Sequence, residues 1–62
     1  MPFSTFAMKE SYRKAEQETI KEIEFLMKML DEEPSMLKYW NEQIAYYQGR
    51  LEVIRETLDW LE

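Results

Sequence analysis

The sequence predicts an all-α fold, an antiparallel two-helix hairpin that dimerises into a four-helix bundle, and three observations predict it. Eight large apolar residues, Leu37, Trp40, Ile44, Tyr47, Leu51, Ile54, Leu58 and Leu61, follow one another at spacings of 3-4-3-4-3-4-3. That is the repeat of a helix with one continuous buried seam. A single break, Asp31-Glu32-Glu33-Pro34-Ser35, separates this stretch from a second long segment without Gly or Pro. A further apolar set recurs every seventh residue, Tyr39, Tyr46, Val53 and Trp60, and points away from the first seam.

The whole chain, residues 1–62, reads as one helical-hairpin domain. Met1 to Thr5 is a short lead-in: Pro2 is unsuited to a helix interior, and Ser4 or Thr5 can cap the first free N–H groups. With Ser4 as the cap, Phe3 and Met8 take the positions of a hydrophobic staple. Helix 1 is expected over about 5–31, built mostly from good helix formers. Glu10 with Lys14 and Glu24 with Lys28 lie four apart in the favourable order. Its inner stripe is Met8, Tyr12, Ala15, Thr19, Ile23, Leu26 and Leu30, widened by Ile20 and Met27, while Phe25 and Met29 lie across from it. The part after Thr19 therefore needs cover on two sides.

The loop is expected at about 32–35 and helix 2 at about 35–61. Pro34 disfavours helical geometry at Glu33, and either Pro34 opens the next helical turn or Ser35 caps it. A break this short sets the two helices side by side and antiparallel. Folding about residues 33 and 34 pairs positions whose numbers sum to about 67: Leu30 with Leu37, Met27 with Trp40, Ile23 with Ile44, Tyr12 with Ile54 and Phe6 with Leu61. The same register sets basic Lys9, Arg13 and Lys14 beside acidic Glu52, Glu56, Asp59 and Glu62.

Composition makes the second face important. A chain of 62 residues buries little of its surface. With no Cys and no His, disulfides and the usual zinc ligands are unavailable, which leaves oligomerisation as the common remedy. The apolar fraction of 45%, nine aromatic residues included, is too high for a disordered chain. Tyr39, Tyr46, Val53 and Trp60, together with Phe25 and Met29, are accordingly assigned to an oligomer or partner interface, a twofold homodimer being the simplest. A site for a different protein and simple exposure are the competing readings of this stripe. Gly49 lies on the same side as Tyr46 and Val53 and costs about 1 kcal/mol inside a helix. It either admits a close backbone approach or is a tolerated surface residue.

The chemistry of catalysis is missing from this sequence. Without His or Cys the commonest general base, thiol nucleophile and imidazole ligand are lacking, so no enzyme activity is expected, and no catalytic, cofactor or metal residues are assigned. Glu18 with Glu22 and Glu52 with Glu56 share helical faces but have no Glu-x-x-His partner, and they read as solvated surface. One glycine cannot make a phosphate loop. The net charge of −5 falls entirely in residues 31–62, with three basic and eight acidic side chains. That balance argues against nucleic acid and anionic membrane as partners. No window is apolar enough to span a bilayer, and the apolar Met1 to Met8 precedes the first basic residue, Lys9, the reverse of a secretory signal. The expected location is cytoplasmic.

Two resemblances add to this. The helix–loop–helix plan with Lys14, Gln17, Lys21, Phe25 and Lys28 along one side of helix 1 resembles the plasmid Rop family, small acidic RNA-binding dimers of helical hairpins. It implies an alternative in which paired basic faces contact phosphate around a stacking aromatic. The preferred reading of that face is solvated helix surface, with Phe25 in the interface. From Met1-Pro2-Phe3-Ser4-Thr5-Phe6 to Thr57-Leu58-Asp59-Trp60-Leu61-Glu62, the chain resembles the short accessory proteins encoded in the early exo–xis region of lambdoid phages. That resemblance implies a regulatory or adaptor role in the bacterial cytoplasm, modulating host or lysis–lysogeny processes through protein contacts. It transfers no site residues.

Overall fold

The computed structural model describes residues 4–62, and its first helix begins where the capping chemistry directs. Ser4 has extended backbone geometry and its side-chain oxygen accepts from the Ala7 N–H at 3.3 Å, while its carbonyl accepts from the Met8 N–H at 3.0 Å. The Ala7 donor, which the first turn leaves free, is thereby satisfied, and the Met8 bond is the first of the helical ladder. Phe3 of the expected staple lies outside the described residues. Helix α1 runs Thr5–Glu32 and helix α2 runs Leu37–Leu61, giving an all-α hairpin.

Glu33, at φ −128° and ψ 71°, ends α1, and its N–H still donates to the Met29 carbonyl at 2.8 Å. Pro34 then opens a short 3-10 turn, Pro34–Met36, in which the Met36 N–H donates to the Glu33 carbonyl at 3.2 Å. Of the two expected ways to restart the chain, proline in the first turn is the one used, because its missing N–H is wasted nowhere else at so little cost. Ser35 makes no cap bond, and α2 starts two residues later than expected.

The core is a narrow stripe between the helices. Ile23, Leu26 and Ile54 are buried, with Leu26 only 3% exposed, and none of the described side chains is completely enclosed. Thr19 is buried among them, and its hydroxyl donates to the Ala15 carbonyl one turn back at 2.7 Å, so no polar group is stranded there. Trp40, Ile44, Tyr47, Leu51, Leu58 and Leu61 flank this stripe half-buried, as the seam requires.

Three expectations need correction at the hairpin's ends. Leu37 and Met27 are more exposed than covered, so the seam near the turn is buried on neither helix at these two positions. Phe6 is exposed and does not pack on Leu61 as a covered residue would. The ion pairs also differ: Arg13 meets Glu10 at 3.2 Å and Lys28 meets Glu32 at 3.9 Å, rather than Lys14 with Glu10 or Lys28 with Glu24.

Candidate interaction surface

The two long helices expose two flanks beside the seam, and the register between them decides what each flank contains. Arg55 Nε donates to Glu16 Oε2 at 3.1 Å, and Arg13 lies 3.6 Å from Glu62, which together mark one flank. Ile20 and Met27 follow Glu16 at four and eleven residues, and Leu51, Ile44 and Leu37 precede Arg55 at four, eleven and eighteen. These residues therefore belong to the same side.

The opposite flank carries the residues assigned to the interface. Tyr46, Gly49 and Val53 line a shallow groove of about 470 Å³ together with Tyr12 and Ala15 of α1. Beside it Arg50 shares a smaller groove with Glu18 and Glu22. Phe25 and Met29 continue the line of Glu22 at three and seven residues, so both helices contribute to one face. On it Trp60 is 85% exposed, Val53 61% and Tyr46 57%; Phe25 and Tyr39 are also exposed, and Met29 is half-buried.

Half-buried aromatic rings of the seam stand edge to face with two exposed ones. Tyr47 of the seam meets Tyr46 edge to face with ring centroids 5.0 Å apart, and Trp40 meets Tyr39 in the same way at 4.9 Å. Such pairs are favourable and directional. Tyr39 and Tyr46 are thus presented outward in a set geometry. The Trp40 indole N–H is buried and has no acceptor among the described residues.

Gly49 has ordinary helical backbone, and a Cβ built on it meets nothing within 4 Å. Neither conformation nor packing inside the hairpin requires a glycine there. Sequence reasoning missed Arg50, although its spacing from Tyr46 and Val53 puts it on this face, and it missed the exposure of Met27 and Leu37 on the other flank.

The basic side of α1 is open as well. Lys14, Lys21 and Lys28 are exposed, and Lys28 is engaged by Glu32. No helix among the described residues is long and apolar enough to cross a membrane. The chain matches no family model, no curated protein and no solved structure.

Proposed function

We propose that this chain is a small non-enzymatic module that associates with itself, as a twofold dimer of hairpins forming a four-helix bundle, and acts through protein–protein contact. The observation that carries the reading is the exposed line Tyr39, Tyr46, Val53 and Trp60 beside Phe25, on a hairpin that buries three apolar side chains among the described residues. At about 25 cal/mol per Å² and roughly 150–250 Å² for each aromatic side chain, covering this line contributes several kcal/mol per chain before association costs.

A hairpin this small has little stability of its own to draw on, so association and folding support each other. The resemblance to lambdoid-phage accessory proteins favours a regulatory or adaptor role in a bacterial cytoplasm, with a second protein engaged by the assembled bundle. The acidic balance disfavours nucleic acid as that partner. Sedimentation equilibrium at micromolar concentration tests the central claim: a dimer or larger species is expected, and a folded, monodisperse monomer overturns it.

A further inference from the structure

The exposed face is self-complementary about one level of the hairpin, and that level specifies how two copies meet. On α2 the stripe is symmetric about the midpoint between Gly49 and Arg50: Tyr46 and Val53 lie three and a half positions to either side, Tyr39 and Trp60 ten and a half. On α1 the same face is symmetric about Glu18. Glu22 and Lys14 lie four to either side, Phe25 and Ser11 seven, Met29 and Ala7 eleven. Glu18 and Arg50 line one groove, so these two centres fall at the same height.

Building on the self-association proposed above, the geometry points to a second copy of this chain related by a twofold axis perpendicular to the helices, passing between the copies at Glu18 and Gly49–Arg50. Each helix then lies antiparallel to its own counterpart. Tyr39 stands opposite Trp60 of the second copy and Tyr46 opposite Val53 of the second copy. On α1 the large Met29 and Phe25 meet the small Ala7 and Ser11 of the second copy, and Glu22 meets Lys14 of the second copy, which pairs large with small and acid with base.

At the axis Gly49 and Arg50 straddle the stripe. Gly49 keeps the crossing free of a side chain that nothing within the hairpin excludes. Arg50 makes no ion pair among the described residues, and two copies of it with two of Glu18 form a charge-balanced cluster. The hairpin is 50 Å long and 18 Å across, a footprint of about 900 Å², against about 800 Å² per partner in a stable interface. A second hairpin laid along the full length therefore covers what association needs.

The chain has no cysteine, so single spin labels can be placed at Asn41→Cys, Gln48→Cys and Asp59→Cys, three exposed positions on the flank of Arg55, away from the proposed contact. At about 1.5 Å per residue the two copies of position 41 are offset along the helix by about 25 Å and those of 59 by about 28 Å, against about 5 Å for 48. Electron–electron dipolar spectroscopy on the full chain is expected to give label separations at 41 and 59 about 10 Å longer than at 48. Equal separations at all three positions overturn this arrangement while self-association stands; absence of coupling with a monomeric sedimentation profile overturns both.

A charge exchange gives a second readout, because Lys14 and Glu22 of one chain lie about 12 Å apart along α1 and do not reach each other. Lys14→Glu is expected to raise the dimer dissociation constant by about three- to tenfold through two symmetry-related contacts, and Lys14→Glu with Glu22→Lys to restore it. Failure of the exchange to restore association overturns the register.

Discussion

Arg55 Nε donates to Glu16 Oε2 at 3.1 Å, joining residues 39 positions apart across the two helices. The pair marks the flank of α1 and the flank of α2 that lie on the same side. Its energy is another matter, because the Arg55 side chain is 58% exposed and solvent screens the attraction. In a double-mutant cycle with Glu16→Gln and Arg55→Gln, the coupling measured by urea unfolding is expected to lie below about 1 kcal/mol. A coupling of several kcal/mol would mean that the charge pair, not the apolar seam, dominates this crossing.

The thin core makes single truncations severe. Leu26→Ala removes one of the three apolar side chains buried among the described residues and is expected to cost about 2–5 kcal/mol. That is comparable with the whole stability of a domain this small, about 3–5 kcal/mol. Circular dichroism at micromolar concentration should therefore find Leu26→Ala largely unfolded at 25 °C, and a variant as stable as the parent would show that the core lies elsewhere.

Trp60 and Tyr46 contribute nothing comparable to the core of the isolated hairpin, being 85% and 57% exposed. Tyr46→Asp with Trp60→Asp should shift sedimentation to the monomer and, because association supports folding, lower the thermal midpoint. An unchanged oligomer would refute the assignment of this face to the interface.

Self-association also predicts a thermal midpoint that depends on protein concentration, since mass action favours the folded dimer. The midpoint of the parent chain should rise as concentration is raised from about 1 to 100 µM, on the order of the micromolar range in which such interfaces work. The double aspartate variant should lose that dependence.

Gly49 separates the needs of the helix from those of the contact. In the monomeric double aspartate background, Gly49→Ala should stabilise α2 by about 1 kcal/mol, a rise of about 4–8 °C in midpoint, because the helix gains propensity and the added methyl meets open space. In the parent background Gly49→Leu should weaken the dimer without unfolding the helix. Dimer strength unchanged by Gly49→Leu, measured by sedimentation, would remove the close approach from the account.

Most of each helix was legible because its determinants are local. The Ser4 cap, the run without Gly or Pro, and the Pro34 break act within a few residues, and the ends of α1 fall within one residue of expectation. The start of α2 was less legible, since Pro34 and Ser35 each offered a workable beginning and the 3-10 turn decided between them. Spacing alone assigns Met27 and Leu37 to the seam, but it does not register how little of each the neighbouring helix covers near the turn, and both side chains are exposed.

The sequence by itself determined two helices, their antiparallel order, the buried seam, and a line of aromatic residues directed away from it, because helical periodicity assigns every residue to a face of its own helix. Only the tertiary structure decided that α2 begins after a 3-10 turn, that Leu37, Met27 and Phe6 toward the ends of the seam stay exposed, and which charges pair across the hairpin, Arg55 with Glu16 and Arg13 with Glu62. The physical reason is that periodicity assigns a residue to a face of its own helix, whereas cover and ion pairing depend on what the neighbouring helix sets against that face.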